Sequence, residues 1–290
     1  MRPRPLTAIA AVGLAAAVPA ANAFSNDPMF ANSVLGTASK TCKVKRAAVC
    51  NGINAVGANL AGRNLRGSHF NKANFAGASF LNADLRGASF RGAKLSGADF
   101  SGANLKGAHF EAPVAQTTRK GANQTQPGPS CNLNCAGANL SGANFTAADL
   151  TSANFANANV TSANFTSATL TNANLPNANI GGANLFGAQL TGANLYQASL
   201  ASTNLSFANL AGANLNGAWL PSANLTGASL AGANLYIAWL PSANFTSAYL
   251  NGANFTSATL TGANLTMAST TGVTWNGTAC PDGTVTSTGC

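Results

Sequence analysis

The residues of this 290-residue chain best equipped for chemistry are six cysteines, two histidines and a one-sided set of lysines and arginines. The cysteines fall in three local pairs, Cys42 with Cys50, Cys131 with Cys135 and Cys280 with Cys290. In an oxidising compartment an even count reads as disulfides. Zinc is the competing reading, but it usually wants closely spaced pairs and often His ligands, and His69 and His109 sit elsewhere in the chain. The stretch "CPDGTVTSTGC", residues 280 to 290, is turn-rich and able to close on itself.

All fifteen Lys and Arg lie at or before Lys120, and beyond it only Asp149 and Asp282 are charged. Residues 24 to 120 hold thirteen bases against Asp27, Asp84, Asp99 and Glu111, a net charge of +9. Such a half attracts anionic polymers through a long-range, salt-sensitive field. The candidate polyanion-binding residues are Lys43, Lys45, Arg46, Arg66, Arg86, Arg91 and Lys106. A solvated face that keeps an apolar rod in solution explains the same charges. With six acids, two His and no catalytic triad spacing, phosphate loop or metal motif, the chain is expected to be no enzyme and to hold no cofactor.

The start of the chain reads as an export signal. Arg2 and Arg4 precede an apolar run from Leu6 to Val18, and "ANA" stands before Phe24. This is the charged, apolar and small-residue order of a secretory leader, with cleavage expected after Ala23 and a secreted or periplasmic product. The run is too short to span a bilayer, which takes roughly 20 apolar residues.

What must position these residues is a period of five. From Leu60 to Phe110, and again from Leu140 to Leu265, every fifth residue is apolar, nearly always Leu or Phe. Two positions earlier stands Ala, broken only by Arg63, Ser68 and Thr203. Five steps of an α-helix advance a side chain by about 140°, so no stripe forms, and an odd period in one strand throws successive leucines onto opposite faces. Each unit must therefore contain its own turn. Ala and Leu face inward from a short extended piece, the residue between them faces out, and the next two residues turn.

The words "AWLPSAN" return after twenty residues, which places Trp219 over Trp239 and Pro221 over Pro241 if four units close one coil. Arg66, Arg86 and Lys106 share that spacing, and Glu111 stands one coil from Arg91. The tandem words "AGANL", "SGANF" and "TSANF" resemble the pentapeptide-repeat family. The resemblance implies an all-β solenoid, a right-handed four-sided β-helix with about 20 residues per coil. Some members of that family mimic DNA and bind type II topoisomerases; the basic balance and export signal here argue against such a role.

The expected organisation is a leader at 1–23, an N-terminal cap at 24–50 and a first repeat tract at 51–112. An interrupting loop follows at 113–134, then a second tract at 135–268 and a C-terminal cap at 269–290. The two tracts are expected to stack as one rod, because an uncapped end exposes strand edges and core leucines. Asn occupies the outward slot at every tenth position from Asn134 to Asn264, which puts Asn columns on two opposite faces. Stacked amides of this kind bond to one another. A binding array for ice or mineral, drawing on Thr146, Thr166, Thr226, Thr246 and Thr266, is the sharper alternative, interrupted by Phe186 and Ser206.

Tyr196, Trp219, Tyr236, Trp239 and Tyr249 all fall in outward slots, a candidate patch for sugar stacking or a protein interface. The functional expectation is a non-catalytic binding or structural module at the cell exterior. Its partner is an anionic surface polymer or a protein, or further copies of itself through aromatics and caps.

Overall fold

The computed structural model describes residues 34–37, 40–110 and 133–290. The expected leader, most of the interrupting loop, Cys131 and Glu111 lie outside the described residues.

One unit shows why the chain coils. In Asn224 to Ala228 the five successive N–H groups all find acceptors. Asn224 donates back to the Thr203 carbonyl at 2.9 Å, while Leu225 donates forward to Asn244 at 2.7 Å and Gly227 to Thr246 at 2.9 Å. Ala228 closes the turn onto Leu225 at 3.0 Å. The remaining donor, the N–H of Thr226, goes to Oδ1 of Asn224 at 3.1 Å. The outward Asn thus completes its own turn, and no backbone donor of the unit is orphaned. The second turn residue is left-handed, so Gly is frequent there, as at Gly227 with φ 64°.

Repetition of this unit builds parallel bridges between residues twenty apart, for example Asn184 with Asn204 and Asn204 with Asn224. Four units make one coil. We number the sides by their central residues: side 1 carries Asn154, Asn174 and Asn194; side 2 Asn159, Asn179, Ser199, Trp219 and Trp239; side 3 Asn164, Asn184 and Asn204; side 4 Asp149, Thr169, Gln189, Asn209 and Tyr249. Ala and Leu or Phe from all sides meet inside and are almost wholly buried.

The interior changes texture along the axis. From Phe70 to Phe165 it is a column of contacting rings, with Phe80 and Phe100 stacked at 4.6 Å and Phe90 and Phe110 at 5.2 Å. From Leu170 to Leu240 it is aliphatic. Where a hydroxyl replaces the inward Ala it donates to a carbonyl of the preceding coil: Thr203 Oγ1 to Ile180 at 3.1 Å, Thr278 Oγ1 to Phe255 at 2.7 Å.

The ladder crosses the interruption. Asp99 pairs with Asn134, Asn104 with Asn139 and His109 with Asn144, thirty-five residues apart instead of twenty. Phe110 stacks on Phe145 at 4.9 Å, so one core continues through. The second tract starts at Leu133, inside the segment expected as loop. There Leu133 fills an Ala slot and Cys135 a Leu slot, which hides the period, and Cys135 is buried in the core. The thirty-five-residue step shifts the phase by three sides: first-tract residues Asn64, Asp84 and Asn104 belong to side 2, and Val49, His69, Ser89 and His109 to side 3.

Both ends carry a hairpin and a disulfide. Strands β1 (Val34–Thr37) and β2 (Lys40–Lys43) pair antiparallel, Leu35 is buried, and Cys42 bonds Cys50 with Cα atoms 5.4 Å apart. At the other end coiling runs past the expected boundary at 268, through bridges that reach Ser269, Thr274 and Ala279. Trp275 takes the axial slot and stacks on Phe255 at 5.2 Å. Strands β3 (Thr278–Ala279) and β4 (Val285–Thr286) then pair, and Cys280 bonds Cys290. Among the described residues no helix is long and apolar enough to cross a membrane.

Candidate functional site

The corner between sides 2 and 3 gathers four of the basic residues, while Lys72, Arg91 and Lys94 lie on the next corner and side. Arg46, Arg66, Arg86 and Lys106 each occupy its first turn position. Their backbones are stacked by hydrogen bonds from Ala47 to the Arg66 carbonyl, Gly67 to Arg86 and Gly87 to Lys106, all 2.9 Å. All four side chains are exposed. Arg46, twenty residues before Arg66, belongs to the same series because the cap already coils in phase. Lys43 and Lys45 are exposed in the cap below, while Arg91 stands on the next corner, between sides 3 and 4, where its N–H bonds Asn71 Oδ1 at 3.0 Å.

The expected set of equivalent cations is therefore not uniform. Arg86 is engaged by Asp84 of side 2: Nε donates to Oδ1 at 2.8 Å and Nη2 to Oδ2 at 2.5 Å. That hydrogen bond, with the Arg86 N–H and the nearby Arg66 charge, holds the Asp84 carboxyl below its ordinary range, and the same pairing raises the Arg86 guanidinium. The pair was invisible in sequence because only the turn brings positions 84 and 86 onto one edge. Side 3 beside this corner carries Val49, His69, Ser89 and His109, and no acidic residue among those described. Among the described residues no cluster of His, Cys, Asp and Glu is suited to a metal.

The asparagine columns are structural. On side 1 Asn154 donates Nδ2 to Asn134 Oδ1 at 3.0 Å, Asn174 to Asn154 at 3.2 Å and Asn194 to Asn174 at 2.9 Å. On side 3 the threonines enter the chain: Asn244 Nδ2 donates to Thr226 Oγ1 at 3.0 Å, and that hydroxyl donates to Asn224 Oδ1 at 2.7 Å. Thr166 and Thr246 repeat the relay. These three hydroxyls thus bond within the column.

The aromatic candidates divide. Trp219 and Trp239 lie on side 2 with ring planes within 3° and centroids 5.4 Å apart, each more than 40% exposed. Tyr196 and Tyr236 border the same side at the corner with side 1, whereas Tyr249 is on side 4, across the rod. Phe186 and Phe207, an exposed pair 5.6 Å apart between sides 3 and 4, had no periodic signal to betray them.

Pro221 and Pro241 explain the repeated word. They stand where the outward side chain normally caps an N–H. Trp offers no acceptor, and proline removes the donor.

One corner column joins the two candidate regions. From Lys106 it continues through Ser141, Thr161, Gly181 and Ala201 to Pro221 and Pro241, each step fixed by a backbone hydrogen bond of 2.8 to 3.1 Å. The basic corner and the Trp pair therefore share an edge of the rod.

The pentapeptide repeats model matches in eight copies, over residues 56–92, 82–111, 132–166, 163–201, 203–238 and 240–269. No curated protein matches the chain. Among solved structures it is similar to HetL, a pentapeptide repeat protein involved in heterocyst differentiation regulation from the cyanobacterium Nostoc sp. strain PCC 7120. The identity is 29%, over 75% of this chain and 91% of that one, with a TM-score of 0.37. It is also similar to a pentapeptide repeat protein of the Arabidopsis thaliana thylakoid lumen, with 28% identity over 42% and 68% of the two chains and a TM-score of 0.25. A third is QnrB1, a plasmid-mediated fluoroquinolone resistance protein, with 18% identity over 78% and 92% and a TM-score of 0.31. The matched repeats cover more than half of the sequence and coincide with the coils, so the chain is a right-handed quadrilateral β-helix and belongs to the pentapeptide-repeat family.

Proposed function

We propose that this protein is an exported, non-catalytic scaffold whose N-terminal coils bind an anionic polymer. The observation that carries the reading is the stacked column Arg46, Arg66, Arg86 and Lys106, set against the absence of any Lys or Arg from residue 133 onward. Strand spacing puts the backbones of these residues about 4.8 Å apart per coil, and of the four charges only that of Arg86 is paired with a carboxylate, Asp84, among the described residues. Like charges held so close on a rigid frame repel, and an anionic chain laid along them relieves that repulsion while releasing its own counterions. The leader-like segment ending at Ala23 and the disulfides at both ends support an oxidising, extracytoplasmic address.

The test is retention of the exported chain on an immobilised polyanion at rising salt, beside a variant with Arg46→Gln, Arg66→Gln and Lys106→Gln. The expected result is binding that weakens steadily with ionic strength and falls sharply in the variant. Salt-independent binding, or equal retention of both proteins, overturns the reading. A rod that self-associates through Trp219 and Trp239 is the second reading, favoured by their exposure; it predicts an oligomer that persists in high salt.

A further inference from the structure

We infer that the basic corner and the Trp pair are two ends of one track, and that its ligand is a linear acidic polysaccharide, an extended chain of pyranose rings bearing carboxylates. This rests on the anionic-polymer reading above and specifies the polymer.

The first argument is collinearity. The corner column runs from Arg46 to Pro241 in nine backbone-bonded steps, which at about 4.8 Å per step is about 43 Å of continuous edge. Nothing bulky interrupts it, since Ser141, Thr161, Gly181 and Ala201 fill the middle. A polymer lying along the cations is led onto the indoles.

The second argument is the chemistry offered in order along that edge. Arg presents paired N–H groups that match a carboxylate. Next come the side-2 amides of Asn139, Asn159 and Asn179. Their Oδ1 atoms accept the N–H groups of Ser141, Thr161 and Gly181 at 3.2, 3.1 and 3.3 Å, so each Nδ2 remains on the outer side to donate. On side 1, by contrast, Nδ2 is tied into the amide ladder. Last come two parallel indoles, which are apolar surfaces with a polar edge. Carboxylate, hydroxyl and the flat C–H face of a sugar are the three surfaces of an acidic pyranose.

The third argument is pitch. One extended pyranose is about as long as one coil is tall, at about 4.8 Å, so successive sugar units keep step with successive coils. Duplex DNA carries one phosphate per strand for about every 3.4 Å of helix axis, out of step with a ladder of about 4.8 Å.

The test uses the full exported chain titrated with polygalacturonate, a neutral glucan of similar length and a single-stranded oligothymidylate. Tryptophan fluorescence and calorimetry are the readouts. Of the three tryptophans, Trp275 is 5% exposed while Trp219 and Trp239 lie open, so emission reports on the pair. The expected result is saturable binding of polygalacturonate with a matching change in emission, and weak binding of the other two polymers. Replacing both tryptophans (Trp219→Ala with Trp239→Ala) should weaken polygalacturonate by about tenfold, while Arg46→Gln with Arg66→Gln weakens every polyanion. If emission stays constant as polygalacturonate binds, or oligothymidylate binds as tightly, or the Trp variant binds as the unmodified chain does, the polysaccharide track is wrong and the broader polyanion reading survives. If no polyanion binds at low salt, both fall.

Discussion

Asn194 donates its side-chain amide to Oδ1 of Asn174, one coil below, at 2.9 Å, and with its own Oδ1 takes both the amide of Asn214 and the N–H of Tyr196. One outward residue thus fastens two coils and closes a turn. Asn194→Ala removes these bonds from a half-buried setting and is expected to cost about 1–3 kcal/mol. The midpoint of guanidinium unfolding followed by circular dichroism checks this, and an unchanged midpoint would show the ladder to be decorative.

Ile237 holds a left-handed backbone at φ 51°, where most other coils place Gly, Ser or Asn. A β-branched side chain is strained there, and this one is half exposed, so little packing opposes relief. Ile237→Gly is expected to stabilise the rod by about 1 kcal/mol. Thermal unfolding measures it, and a lowered melting temperature contradicts it.

The Asp84 carboxyl is kept low chiefly by the Arg86 side chain. A depressed folded-state value means that the carboxylate contributes stability above the unfolded value of about 3.9. That contribution is lost as pH falls through the folded value. Arg86→Gln should therefore raise the Asp84 titration midpoint towards the ordinary range, as followed by NMR of its carboxyl carbon, and should flatten the fall in stability below about pH 4. A midpoint that does not move would mean that the pair is a fleeting surface contact.

Trp275 covers the last phenylalanine of the axis, stacked on Phe255. Trp275→Ala is expected to cost about 3–5 kcal/mol and to open a strand-edged, apolar end. Sedimentation velocity should then detect end-to-end association in the variant and none through this end in the parent chain. A variant with unchanged stability would show that the hairpin and the Cys280–Cys290 bond suffice as a cap.

Much of this molecule is written locally. The Ala-x-Leu spacing, the turn residues between units and the twenty-residue echo of Trp219 in Trp239 fix which side chains face in and how many units close a coil. Each of those relations is settled within five residues or between adjacent coils. Local chemistry does not announce where an irregular coil hides, and so Leu133–Cys135 and the coil around Trp275 carry the fold with residues that break the pattern.

The candidate site was legible only in parts. The cations, the aromatics and the cysteine pairs could be named from the sequence, and two of the cysteine pairs are bonded. Their relation could not, because counting in twenties across the interruption puts the Arg66 series and Trp219 on different edges. The step of thirty-five residues at Asp99 to Asn134 turns the second tract by three sides. Pro221 comes into line with Arg66, and Tyr249 goes to the far side. Periodicity determines a coil from within; how two coiled segments are phased depends on which strands pair across a gap, and only the stacked core and its cross-coil hydrogen bonds decide that.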